Sequence, residues 1–471
     1  MQGGRDRIRV AARFVNLDRQ TPMFLPYDLR DWVPADHIVH FILDAVEQIP
    51  TAHFQVNDRG TGSEQYPPTM MLALLIYGYA TGRFGSRTIE AATYSDVAVR
   101  YLCANQHPDH SSICVFRGAN AAAFRAAFVS VLQLAQQLRL TKVGAVSVDG
   151  TKIQANASKH AAVSYQRAGE MIAQLELEVQ ELMTRAEQAE AQETQATLDL
   201  PAELARREQR VAALQHARQV IEQRAKELAE AQQAEHQANV AQRQAQRAAG
   251  QTPRGPEPTP PSAVPDPKAQ DNFTDPESRI MKAGNGAHFE QAYNAQAVVD
   301  EQMVIVGERV CEAPNDKEEL VPTVAAISPV VVAEVKVVLA DNGFYSAAAV
   351  AAVEQTAAGA PTGLQVLAAV EKSAHHKTVA DLLPQPEPAA PGPAASAKEV
   401  MAHRLKTAAG KALYKLRKQT VEPVFGIIKE VMGFRRFLLR GRVKVGLEWT
   451  LVCVSYNLKR LFTLKHQAAA G

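Results

Sequence analysis

Between Gly169 and Gly250 the chain carries no glycine, and the stretch is rich in Ala, Gln, Glu and Arg. Those are strong helix formers, so this part is committed to helix before any other is read. Ile172, Leu175, Val179, Leu182, Ala186 and Ala189 recur at 3,4 spacing, the seam of a coiled coil. Pro201 interrupts it, because a proline inside a helix removes a backbone hydrogen bond and clashes with the preceding turn. Beyond it Leu204, Val211, Leu214, Ile221 and Leu228 resume a looser seam into which Arg207 and Arg218 intrude. The pattern predicts a helical hairpin over 165–250 with its tip near Pro201. A single long helix would have to pass through that proline. A Pro-rich linker over 251–270 follows. What flanks the hairpin must therefore fold around an insert.

The flanks change period. "VGAVSVDGTKI" places Val143, Val146 and Val148 in a short β-rich run ending at Asp149-Gly150. "EVKVVLADNG" runs apolar through Val337, Val338, Leu339 and Ala340, ends on Asp341, and turns at Asn342-Gly343. A turn-forming Asp explains either end alone. Two strands that each deliver a carboxylate suggest a shared purpose. "AYNAQAVVD", "QMVIVGERVC" and "GLQVLAAV" read as further strands, with a helix near 315–327, a flexible loop at "PQPEPAAPGPAAS", and helix from about Ser396. Residues 1–140 read as several short helices, among them "YPPTMMLALLIYGYATG" and "SRTIEAATYSDVAVRYL". These suit a helix-turn-helix-like DNA reader and a plain helical domain equally.

The chain's 471 residues allow two or three domains, and its net charge of +1 argues against a general nucleic-acid binder. That average hides an asymmetry. From His403 to His466 there are 15 Lys or Arg against Glu422, Glu430 and Glu448. Such a block can neutralise phosphates. Phe425, Phe434, Phe437, Trp449 and Tyr456 are interleaved with it, which favours a folded surface over a solvated tail. No apolar run is long enough to span a bilayer, and "MQGGRDRIRV" lacks the apolar core of a secretory signal, so a cytosolic protein is expected. Four cysteines make no disulfide framework in a chain of this length. Cys103, His107, His110 and Cys114 are zinc-ligand types, but their spacing fits no familiar finger or ribbon.

The remaining chemistry lies in "YKLRKQTVEPVFGIIKEVMGFRRFLLRG". A helix there gathers Arg417, Glu422 and Lys429, with Val421, Phe425 and Ile428 as its apolar stripe. Pro423 suits a helix's first turn, which would set Glu422 at a helix N-terminus, where the dipole favours a carboxylate whether or not it is catalytic. Two strand-end aspartates and this glutamate can converge at one sheet edge. Three hard oxygen ligands with open positions suit Mg²⁺ or Mn²⁺. Two such ions serve phosphoryl transfer.

These strings resemble the DDE transposases of bacterial insertion sequences. "YPPTMMLALLIYGYATGRFGSRTIE" and "DHSSICVFR" are similar to the family's helical N-terminal domain. "SVDGTKIQANASK", "DPESRIMKAGNGAHFEQAYNAQAVVD", "ADNGFYS" and "RKQTVEPVFGIIKEVMGFRRFLLRG" are similar to its catalytic segments, in the family's order. The resemblance implies an α/β fold with an RNase H-like mixed sheet flanked by helices. It implies a helical DNA-binding domain over 1–140 and a catalytic domain over 141–164 and 271–466, interrupted by the coiled-coil hairpin. It makes Asp149, Asp341 and Glu422 the catalytic and metal-binding acids. Tyr414, Arg417, Glu422 and Lys429 match the family's Tyr-Arg-Glu-Lys signature, although Arg417 stands one residue further from the acid than in many relatives. Lys418 is therefore an alternative to it.

Tyr414, Arg417, Lys418, Lys429, Arg435, Arg436 and Arg440 are the expected DNA contacts, with Arg442 and Lys444 adding phosphate neutralisation. The cofactor implied is Mg²⁺, with Mn²⁺ as alternative. The partners implied are terminal inverted repeats, target DNA and a second copy of the chain in the active complex, with no membrane. A bacterial cytoplasmic, nucleoid-associated location follows. The competing readings are a nuclease-only or inactive DNA-binding relative and, from another class, a coiled-coil scaffold.

Overall fold

The computed structural model describes residues 27–56, 64–191, 200–250, 252, 257–283, 286, 288–370, 388–392 and 395–470. Six helices come first: α1 (Ile38–Glu47), α2 (Pro68–Ala80), α3 (Ser86–Ser95), α4 (Val97–Leu102), α5 (His110–Ala119) and α6 (Ala121–Gln137). Side-chain caps start several of them. Asp96 accepts from the amides of Ala98 and Val99 to open α4, and Asp109 from those of Ser111 and Ser112 to open α5. α2 is apolar all round, with Met71 through Ala80 buried, which marks it as a core helix.

The sheet follows. β1 (Ala145–Gln154) pairs antiparallel with β5 (Phe289–Val299) and parallel with β7 (Val337–Ala340), which pairs parallel with β8 (Gln365–Ala368). The far edge of β5 is shared by β4 (Arg279–Lys282) along its first part and β6 (Ile305–Cys311) along its second. The result is a six-stranded mixed sheet. β7 and β8 are short apolar runs and the first half of β1 is buried, because helices cover the parallel half of the sheet. Those helices include α9 (Leu320–Ala325), α10 (Ala347–Glu354), α11 (Ala397–Lys406) and α12 (Ala408–Gly426). α12 lies along β1, fixed there by a 2.7 Å hydrogen bond from the buried Thr420 hydroxyl to Ser147 Oγ.

The last helix, α13 (Arg442–Ala470), packs on α2 and α6 on one side and on β6 on the other. One continuous core therefore runs from the N-terminal helices into the sheet. Trp449 is fully buried in it and donates its indole N–H to Gln296 O at 3.1 Å. Glu448 is also fully buried. It accepts from Tyr79 Oη at 2.8 Å and from the amides of Leu438 and Leu439 at 2.9 and 3.0 Å. Arg117 Nη1 donates to the same Tyr79 oxygen at 3.0 Å. A charge cluster of this kind is tolerated in a core only because its members satisfy one another.

The zinc-ligand types of the sequence are used otherwise. Cys103 is buried, His107 stacks on Tyr94 at 4.0 Å, His110 pairs with Glu90 at 3.0 Å, and Cys114 faces Ser86 Oγ at 3.2 Å. Among the described residues no single helix is long and apolar enough to cross a membrane. α5 and α6 would reach that length only together, and they are bent by 75°.

Between β1 and β4 stands the insert. A two-stranded ribbon, β2 (Ala162–Ser164) with β3 (Gln270–Asn272), carries α7 (Tyr165–Ala191) and α8 (Leu200–Ala248), which pack on each other. The expected tip falls largely on 192–199, outside the described residues, and Pro201 sits in the first turn of α8, where its missing N–H costs nothing. The packing is best at the base, where Val163, Ala168, Ile172, Leu214 and Ala217 form their own core. Leu177 and Met183, further out on α7, are exposed, as is Leu228 on the stretch of α8 that runs past the base. The two arginines that interrupt the seam are bonded across it. Arg207 pairs with Glu178 at 3.0 Å, and Arg218 donates to Tyr165 Oη at 2.8 Å.

Candidate active site

Around two of the acids the local structure departs from the pattern of the sequence. β1 does not end at Asp149-Gly150 but continues to Gln154, so Asp149 sits in mid-strand. Gly150 is there for space, not for a turn. A Cβ on it would lie 2.6 Å from Asp316 Oδ1 and 2.7 Å from Asn294 Oδ1, and would also collide with Gln296 Nε2. Asn294 and Gln296 both donate to that Asp316 oxygen, at 2.8 and 2.7 Å, so the cluster behind the strand is tied in place. Likewise Glu422 is not at a helix N-terminus. α12 starts at Ala408, capped by Thr407, and holds Glu422 and Pro423 in its interior. Pro423 leaves the carbonyl of Gln419 without its helical donor, and four residues after Pro423 the chain passes into a π-type turn, Ile427–Val431.

The register of the parallel strands decides how the aspartates relate. Ser147 pairs with Leu339, and two further residues along each strand bring Asp149 level with Asp341. Adjacent strands lie about 4.8 Å apart, so the two carboxylates are neighbours on one face. Asp341 is the first residue after β7, and its Oδ1 accepts from Gly343 N at 2.7 Å. Asp149 Oδ1 accepts from Gly150 N at 2.8 Å.

Arg417 joins the third acid to them. Its Nη1 donates to Asp149 Oδ2 at 3.2 Å, its Nη2 lies 3.5 Å from Glu422 Oε1, and its Nε is buried without a partner. Burial opposes the guanidinium's charge, but Asp149, Tyr414 and Asp341 outweigh it and hold its pKa above the ordinary value. The Tyr414 hydroxyl donates to Ala340 O at 3.1 Å, beside Asp341. The two aspartates and Arg417 thus share one electrostatic unit, and Glu422, half exposed, reaches it through the guanidinium.

The other expected DNA contacts divide by role. Lys429 is half-buried, its ammonium donates to Lys152 O at 2.8 Å, and burial lowers its pKa. Arg435 pairs with Glu430. Arg436 donates to Asn156 Oδ1 and Arg440 to Asn156 O, both at 2.9 Å. Lys418, Arg442 and Lys444 are exposed. Residues the sequence did not single out include Asn156, which anchors two arginines, and Ser147, whose partner Thr420 fixes the helix of Arg417. Only the tertiary contacts mark them.

Among the described residues no three His, Cys, Asp or Glu side chains stand close enough together to hold a metal ion. The donor chemistry of Asp149 and Asp341 nevertheless fits a hard divalent cation, since both present carboxylate oxygens at one strand edge. The electrostatics support that fit. Burial pushes the Asp149 carboxyl from 3.8 up to about 7; Arg417 counters this, and Asp341 and Asp316 add to it. A carboxylate so penalised gains from added positive charge.

The stability consequence has a definite sign. With the folded pKa raised, the contribution of Asp149 to stability is full below about pH 4 and is lost as pH rises towards 7. In metal-free buffer Asp149→Asn should be close to neutral at about pH 4 and stabilising by up to ~4 kcal/mol at about pH 8. Urea unfolding at the two pH values checks this, and a variant equally stable relative to the parent at both would contradict it.

Comparisons with known proteins agree on the class. Residues 389–462, which include α11, α12 and most of α13, match the transposase DDE domain. Residues 27–119 match the transposase domain (DUF772), which covers the helices from α1 to α5. No curated protein and no solved structure matches the chain. The two domain matches therefore mark a protein of DNA transposition. The chain is a DDE-type transposase, a family whose members generally work with a divalent metal ion and whose domain points to polynucleotidyl transfer.

Proposed function

We propose that the chain binds the terminal inverted repeats of its element, hydrolyses the end phosphodiester to expose a 3′-OH, and directs that hydroxyl at target DNA. The observation that carries this is the in-register placement of Asp149 and Asp341 on neighbouring parallel strands, with Arg417 linking Glu422 to them. The strand order, with β5 antiparallel to β1 and β7 and β8 parallel to it, supports an RNase H-like core.

In this reading Asp149, Asp341 and Glu422 hold Mg²⁺ or Mn²⁺, which supplies activation of the attacking oxygen and stabilisation of the leaving one. Arg417 separates Glu422 from the aspartates, so closing the trio requires the guanidinium to leave one carboxylate, and a DNA phosphate is its natural new partner. Tyr414 holds the end of β7 and with it the position of Asp341. Lys429 braces β1 at Lys152. Lys418, Arg435, Arg436 and Arg440 neutralise the DNA backbone. The exposed Leu177 and Met183 on the outer half of α7 support a self-association surface, which fits a homodimer that pairs two DNA ends.

The test is an end-cleavage assay on a duplex built from the DNA that borders the gene. Mg²⁺-dependent nicking that leaves a 3′-OH, followed by joining to a second duplex, is the expected result. Nicking without joining would identify a nuclease. Binding without nicking in either Mg²⁺ or Mn²⁺ would identify an inactive relative. Separately, replacing Arg435, Arg436 and Arg440 by Ala should lower the slope of log affinity against log salt by about 2–3, near 0.9 for each lost phosphate contact. An unchanged slope would place the DNA elsewhere.

A further inference from the structure

The cleft at the base of the insert has no role in the chemistry above. Lys159, His160, Arg167 and Arg210 line it with Ala162, Val163, Met171, Leu214 and Phe273, enclosing ≈ 280 Å³. No carboxylate lines it, and among the described residues no ion pair engages any of its four basic side chains. Elsewhere on the insert the arginines are matched: Arg185 with Glu181, Arg206 and Arg207 with Glu203, Arg224 with Asp271. Unmatched cations collected around an apolar floor repel one another and gain from an anion.

The walls are built, not loose. Asn272 Nδ2 donates to Ser158 O at 2.8 Å and Phe273 N to Ala161 O at 3.0 Å, which sets the segment bearing Lys159 and His160 against β3. Phe273 is 39% exposed, and Arg210 lies over its ring at 5.8 Å. Val163 and Leu214 are buried below in the insert's own core.

The cleft continues a line that starts at the catalytic acids. β1 carries Asp149, ends at Gln154, and leads to Asn156, where Arg436 and Arg440 are anchored. Three residues on is Lys159, at most about 11 Å away along the chain. One strand of DNA places a phosphate about every 3.4 Å of helix axis, so a backbone that follows Arg440 reaches the cleft within a few nucleotides.

We propose that this cleft is a second DNA-backbone site, in which Lys159, Arg167 and Arg210 bind phosphates and the insert serves as a clamp on the DNA. The inference rests on the chain being a DNA-binding transposase. The line of basic residues leading back to the acids favours DNA over an acidic protein.

The experiment measures binding of the full chain to a linear duplex as a function of salt. Lys159→Gln/Arg167→Gln/Arg210→Gln should reduce the salt slope by about 2–3 with unchanged circular dichroism. Because Arg210 also packs on Phe273, Lys159→Gln/Arg167→Gln is measured in parallel and should reduce it by about 1–2. A parental slope in both variants, with DNA still bound, would overturn this proposal and leave the catalytic reading intact. No DNA binding by the unaltered chain would overturn both. Polyglutamate binding that is lost in the variants while duplex binding is unchanged would reassign the cleft to an acidic protein partner.

Discussion

Asp341→Asn is expected to abolish metal-dependent DNA cleavage, lowering its rate by about 10³-fold or more, while leaving the fold and the affinity for DNA intact. The factor corresponds to several kcal/mol of transition-state charge stabilisation, the contribution of a metal site to phosphoryl transfer. Asp341 is the cleanest of the three acids to alter. It stands just past the end of β7, and its direct hydrogen bond is to Gly343 N at 2.7 Å, which an asparagine oxygen can replace. The amide removes the charge and little else. Asp149→Asn and Glu422→Gln should give the same loss of cleavage, although the first also releases Arg417 from its 3.2 Å contact. Cleavage is read on an end duplex and unfolding by denaturant on the same preparation. Retention of near-parental cleavage by Asp341→Asn would remove the acid trio from the mechanism.

The largest effect on stability is expected in the core that joins the N-terminal helices to the last helix. Glu448→Ala should cost about 3–5 kcal/mol, the range for breaking a buried charge cluster by removing one member. The substitution leaves Tyr79 Oη and the amides of Leu438 and Leu439 without their acceptor, and Arg117 in the core without its compensating carboxylate. These groups come from α2, α5 and α13 and from the segment leading into α13, so the N-terminal helices and the C-terminal helix should loosen together. Burial raises the pKa of Glu448, while the two amides, Arg117 and Tyr79 draw it back towards the charged form. Glu448→Gln keeps an acceptor and should cost less than the alanine variant. If the alanine variant unfolds at the parental urea midpoint, the cluster is not what joins the two regions.

How much of this was legible beforehand differs from one residue to the next. The strand before Asp341 could be read because four apolar residues followed by Asp-Asn-Gly leave few alternatives, and β7 ends where the pattern breaks. The end of β1 could not. Asp149-Gly150 looks like a turn, and only the crowding of Asp316, Asn294 and Gln296 behind the strand shows why a glycine belongs in mid-strand. Pro423 misled for the same reason. A local rule placed it at a helix start, but packing of Val421, Val424 and Phe425 in the core carries α12 through it.

By itself the sequence determined the kinds of element: apolar runs that become strands and a glycine-free stretch that becomes long helices. These depend on composition and short-range spacing, which a linear reading contains. The tertiary structure alone decided the parallel register that sets Asp149 beside Asp341 and the reach of Arg417 to both Asp149 and Glu422. It alone decided that the N-terminal helices share one core with the sheet, and that Lys159, Arg167 and Arg210 meet across an insert. Each of these brings together residues far apart in the chain. Their energies come from burial and from charge at short distance, and neither is defined until the chain has folded.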